Sequence, residues 1–256
     1  MIILSKAVPM HVITGSSTAI TVVLSILAWC CVRDRPASLE RKVESQAFFA
    51  TLGESTGSRT VWCAALLSGF LFAPIAVFAG LWCIPFLTDL YGKAVWVKSS
   101  SAIIFIGLAA GAILTAKLSL WTHRAVLVIR GCAIVSLIAM TLITEVGNLP
   151  AGLMMVLLFV LGFCISAYFL TFTVVGNEVS KQASATAFGL TNFFQVCIGS
   201  LLLPLMGYLL MWGKSIFQGP ADDRYSPMDY HHAMIIMPIS LACALVLSFC
   251  LKNKPN

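Results

Sequence analysis

The chain has 256 residues, 59% of them hydrophobic and 10% charged, with a formal net charge of +6 and a mean hydropathy of +0.96. A soluble domain carries about 25% charged residues, so this composition excludes an ordinary soluble enzyme and points to a chain dissolved in lipid. Its excess of positive charge builds no basic face of the kind a nucleic-acid partner needs, and none is expected.

Apolar runs of about 20 residues recur, each long enough to cross a hydrocarbon core of about 30 Å as a helix. They are rich in Leu, Val, Ile, Ala and Gly and lack period-two alternation, which favours helices over an outer-membrane barrel. The expectation is an all-α polytopic membrane bundle with seven transmembrane helices, at roughly 11–32, 62–88, 99–120, 125–146, 150–175, 186–212 and 233–251. Three segments follow: a first transmembrane helix in 1–32, a polar loop at 33–60, and a six-helix bundle in 61–256.

Lys6 alone precedes the first run, while Trp29, Cys30 and Cys31 close it and arginines follow. A cleaved signal ends in small residues, so this run reads as a retained span. The 33–60 segment gathers Arg33, Arg35, Arg41, Lys42 and Arg59 among Ser, Gly and Thr, the composition of a mobile linker. If that segment is cytoplasmic, Arg124, Lys181, Lys252 and Lys254 share its side, and only Lys6, Lys93, Lys98, Lys214 and Arg224 face the other. The positive-inside rule then gives an outer N-terminus and a cytoplasmic C-terminus.

Within the spans, Gly107, Gly111 and Thr115 form a small-residue face suited to close helix packing. Pro74, Pro85 and Pro204 can kink their helices. The nine cysteines lie in or beside spans without metal or redox spacing and read as apolar packing residues. Lys117 and Arg130 stand near the ends of the third and fourth spans, from which long cations can snorkel to headgroups. Glu145 closes the fourth span on the outer side, where it is expected to be solvated, and no carboxylate sits at the midplane.

Polar uncharged groups concentrate in the fifth and sixth spans: Ser166, Tyr168, Thr171 and Thr173, then Thr191, Asn192 and Gln195. Asn192, Gln195 and Gly199 follow a spacing of three and four, which puts them on one helix face. Tyr168, Thr171, Asn192 and Gln195 are the candidate solute-binding residues; the alternative is interhelical glue worth about 0.6 kcal/mol per contact. The stretch DDRYSPMDYHH at 222–232 reads as a solvated outer rim rather than a metal site. No nucleotide-binding glycine loop, nucleophile elbow or HExxH helix is read here, so neither an enzyme nor a cofactor is expected.

Four stretches resemble the C-terminal half of a major facilitator superfamily transporter, and together they reach over nearly the whole chain. VRDRP at 32–36 resembles the charged exit of the family's sixth helix, and GLWCIPFLTDLYG at 80–92 the outer end of its seventh. GAILTAKLSLWTHRAVLV at 111–128 sits where the family repeats its loop motif, and the 177–210 stretch beginning NEVSKQASATAFGL resembles its tenth-to-eleventh helix passage. The resemblance implies helices six through twelve of that fold, a cytoplasmic central loop at 33–60 and a bacterial inner membrane. It also implies alternating-access transport of a small solute, with an N-terminal half-transporter or a second copy of the chain as partner. The loop motif departs from the family pattern: Ser119 replaces its aspartate, while His123 and Arg124 stand near its paired arginines, so a charge lock at that gate is weakened or relies on other groups. The competing function is a non-transporting remnant or structural membrane subunit.

Overall fold

The protein is described by a computed structural model covering residues 10–31, 45–147, 149–217 and 227–251. It divides into two compact units, residues 1–49 and 50–256. The first unit contains α1 (Met10–Cys31). This helix is rich in Ser and Thr, yet Thr18, Thr21 and Ser25 each donate to the carbonyl four residues earlier. Hydroxyls satisfied on their own helix let such a segment enter lipid.

Seven helical stretches among the described residues are long and apolar enough to cross a membrane: Thr14–Cys31, Arg59–Tyr91, Val95–Thr122, Ala125–Glu145, Ala151–Gly176, Ser184–Gly213 and Asp229–Cys250. They match the expected spans to within a few residues, and no strand occurs among the described residues. The segment expected to be a mobile linker is different. Residues 33–44 lie outside the described residues, but α2 (Ser45–Gly57) is helical, and Ser58 caps the next helix by accepting from the Val61 N–H. Gln, Ala, Phe and Leu between 46 and 52 are compatible with a helix, and tertiary anchors described below hold its end.

In the second unit, α3 (Arg59–Pro74) continues through a π-helical segment, Ile75–Trp82, into α4 (Cys83–Tyr91). Pro74 stands at the junction; it lacks an N–H and its ring crowds the preceding turn, so the hydrogen-bond ladder shifts register there. A 3-10 turn at Val95–Ser99 leads into α5 (Ser100–Thr122), then α6 (Ala125–Glu145). The next span is also interrupted: α7 (Ala151–Ile165) gives way to a 3-10 segment, Ser166–Phe169, before α8 (Leu170–Gly176). Last come α9 (Ser184–Phe217), α10 (Pro227–Met234) and α11 (Ile236–Cys250).

The packing has an internal regularity. Call the spans from Arg59 to Glu145 the first triplet and those from Ala151 to Cys250 the second. The first span of each triplet packs on the second span of the other, α3 against α9 and α7 against α5. The third span of each packs on the first of the other, α11 against α3 and α6 against α7, and the two third spans, α6 and α11, meet. Exchanging the triplets therefore returns the same set of contacts. Because each triplet has three spans, the second begins on the side where the first ended and runs inverted.

Glycine makes both main crossings close. A Cβ at Gly69 of α3 would stand 2.7 Å from the Phe194 carbonyl oxygen of α9, and one at Gly199 of α9 would stand 2.9 Å from the Ala76 side chain. At the other crossing, a Cβ at Gly107 or Gly111 of α5 would collide with the Phe159 or Phe163 carbonyl, and one at Gly162 of α7 with the Ile104 carbonyl. The expected small-residue face at Gly107 and Gly111 is thus the α5–α7 interface, where backbones meet directly.

Candidate functional site

Where the two interrupted spans meet, three polar side chains form one connected node. Ser68 of α3 and Thr171 of α8 are fully buried, and Gln195 of α9 is 5% exposed. Gln195 Nε2 donates to Ser68 Oγ at 2.6 Å. Thr171 Oγ1 lies 3.1 Å from that same oxygen and 2.6 Å from the Tyr168 carbonyl. The single threonine proton is shared between the nearer Tyr168 carbonyl and Ser68 Oγ, so Ser68 Oγ accepts from both Thr171 and Gln195. Two donors converge on the one Ser68 oxygen, and the node fixes the Gln195 side chain.

Aromatic rings flank the node. Phe72, one turn beyond Ser68, meets Tyr168 edge-on with centroids 5.1 Å apart. Trp62 meets Phe194, the neighbour of Gln195, edge-on at 5.4 Å. Tyr168 itself lies in the 3-10 segment and is 8% exposed. A second hydroxyl pair links the triplets at the other crossing, Thr115 Oγ1 and Ser166 Oγ at 3.3 Å, each also donating to a carbonyl of its own helix.

Of the residues chosen from sequence, Thr171 and Gln195 are joined in the node, and Tyr168 borders it. Asn192 does not join them: it is exposed, while on the same nominal face Gln195 is buried against α3 and Gly199 against the π segment. One helix turn separates it from the interface, and helical spacing alone does not reveal how wide the contact is. Thr191 is buried and donates to the Ala187 carbonyl, so it satisfies its own helix. Ser68 was not singled out. Its signal was faint: a serine next to a glycine in an otherwise apolar run, the pair that brings α3 close to α9.

The ends of the bundle hold the charges. Arg130 does not reach away to headgroups as expected. Its Nε and Nη2 donate to the Ser248 carbonyl at 3.1 and 3.0 Å, and Nη2 donates to the Leu251 carbonyl at 3.0 Å. It lies over the Phe249 ring, 4.9 Å from the centroid. A cation at a helix C-terminus satisfies orphan carbonyls and the helix dipole together. At the opposite end Glu145 is exposed, as expected, and also pairs with His231 Nε2 of α10 at 3.0 Å. His231 Nδ1 is 3.0 Å from the Thr144 carbonyl. Of the 222–232 rim, Asp222 and Asp223 lie outside the described residues.

In the 111–128 stretch, Ser119 is buried in α5, whereas His123 and Arg124 form the exposed turn to α6, His123 in the left-handed region at φ 51°. The helix α2 is anchored at this end. Glu54 accepts from the Ser180 backbone N–H at 2.7 Å and from its hydroxyl at 2.9 Å. Ser180 in turn accepts from the Ala183 N–H at 3.3 Å, so Glu54 completes a capping box from another helix at the entry to α9. The residues 53–57 read Gly-Glu-Ser-Thr-Gly, which has the spacing of a nucleophile elbow. They form no such turn: Ser55 is buried within α2 and donates to the Thr51 carbonyl at 2.8 Å.

No family model matches the chain, and no curated protein matches it.

Proposed function

We propose that this chain is one lobe of a two-lobed secondary carrier of the major facilitator type, which moves a small solute by rocking two bundles around a shared site. The observation that carries this reading is the pairing of interruptions: the first span of each inverted triplet is broken, by a π segment in one and a 3-10 segment in the other, and the polar node lies at their crossing. Transporter sites form at repeat interfaces from such discontinuous helices. The six-span bundle supplies one of the two moving bodies. The second comes from another stretch of polypeptide, a separate N-terminal lobe or a second copy. In this reading the Arg59 end, with α2 and the His123–Arg124 turn, is cytoplasmic in a bacterial inner membrane.

A lobe of this kind turns part of its exposed surface toward a water-filled pathway, and Asn192 belongs to that part because an exposed amide in hydrocarbon is costly. The test is chemical labelling of Asn192→Cys in native membranes with a membrane-impermeant thiol reagent, read peptide by peptide against Phe193→Cys. Asn192→Cys should label and Phe193→Cys should not. An unreactive Asn192→Cys would remove the water-lined face and the carrier reading with it.

A further inference from the structure

We infer that the solute recognised at this node is uncharged and polyhydroxylated, of the sugar or polyol class; the inference rests on the carrier reading above. The first observation is a census of charge. No Asp, Glu, Lys, Arg or His occurs at 60–88, 99–116, 131–144, 151–176, 184–213 or 233–251, which together make up the interior of the six spans of the bundle. The ionisable groups stand toward the ends, where Arg130 engages the α11 carbonyls and Glu145 pairs with His231. A charged solute brought to the middle of the membrane must be met by an opposite charge or lose several kcal/mol of hydration uncompensated. This lobe offers none.

The second observation is what the lobe does offer. Gln195 gives one amide proton to Ser68 and keeps a second donor and a carbonyl acceptor. Asn192, one turn away and exposed, adds a further donor and acceptor pair. Groups that both give and accept suit hydroxyls, which do the same. A hydroxyl-rich ring also carries flat C–H faces, and the Phe72–Tyr168 and Trp62–Phe194 pairs supply apolar surface beside the amides. Ser68, itself held by Thr171, holds Gln195 in place, so its orientation is set before the solute arrives.

The experiment uses the full chain in lipid nanodiscs and three probes of one shape: glucose, glucuronate and glucosamine, which differ in charge. Saturation-transfer NMR reads weak binding directly. Glucose should show transfer, glucuronate and glucosamine little or none, and Gln195→Ala should weaken glucose by about tenfold, one hydrogen bond's worth. Gln195→Glu, nearly isosteric, guards against a folding artefact and should shift preference toward glucosamine. Helical circular dichroism on heating checks both variants. If glucuronate or glucosamine outcompetes glucose on the parent chain, the charge argument fails while the carrier reading stands. If all three give no transfer while Asn192→Cys labels, the polyhydroxyl class is wrong and the water-lined face survives. If Asn192→Cys is unreactive, both fall together.

Discussion

Gly107→Ala separates close backbone packing from ordinary helix propensity. The added Cβ would collide with the Phe159 carbonyl oxygen and stand 3.0 Å from both the Phe159 carbonyl carbon and the Phe163 nitrogen. Non-bonded atoms prefer about 3.5–4.0 Å, and since the obstacle is backbone, no rotamer relieves it; α5 and α7 must part by roughly 1 Å. A gap of that size forfeits about a quarter to a half of the dispersion energy at each contact along the crossing. Overpacking of this kind costs about 1–3 kcal/mol. We therefore expect a loss of about 2 kcal/mol. Gly131→Ala is the control, because a Cβ there meets nothing within 4 Å and alanine favours a helix by up to about 1 kcal/mol. The assay is reversible unfolding in mixed micelles of rising dodecyl sulfate content, followed by helical circular dichroism. If Gly107→Ala unfolds at the same detergent fraction as Gly131→Ala, the direct backbone contact is refuted.

Two further substitutions probe the polar contacts. Arg130→Leu should leave the Ser248 and Leu251 carbonyls without their guanidinium, lowering stability by about 1–3 kcal/mol and raising amide hydrogen exchange at the end of α11. Equal exchange in the two proteins would mean that the cap contributes nothing. In a double-mutant cycle, Ser68→Ala and Gln195→Leu should couple by about 0.6–1.7 kcal/mol in the same unfolding assay, the range found for hydrogen bonds between membrane helices. Strict additivity would show that the amide and hydroxyl do not meet.

The spans were legible because lipid imposes one rule on every backbone group: it must be paired within its own helix, so length and hydropathy suffice to place it. The linker was misread for the complementary reason. The helix at 45–57 is polar enough to resemble a coil, and its last turn is anchored by Glu54, whose partner Ser180 lies far away in sequence. Arg130 illustrates the same limit. A charge near a span end can face headgroups, water or another helix, and only the neighbouring helix decides. The site was half legible. Hydroxyls and amides at 166–195 stood out against an apolar background, whereas Ser68 had no pattern of its own and gained significance only when α3 crossed α8 and α9.

Composition and run length alone determined that this protein is helical and suited to a membrane, where the spans among the described residues lie, and that the interiors of the six bundle spans are free of charge. Those are properties of each segment against its solvent and need no partner. Which glycines touch backbone, which of two neighbouring polar residues is buried, and the exchange relation between the triplets were decided by tertiary structure. They depend on the rotation of one helix against another, and small rotations decide whether a side chain meets a neighbour or the surroundings. The sequence records each helix face; contact between faces arises only in the assembled bundle.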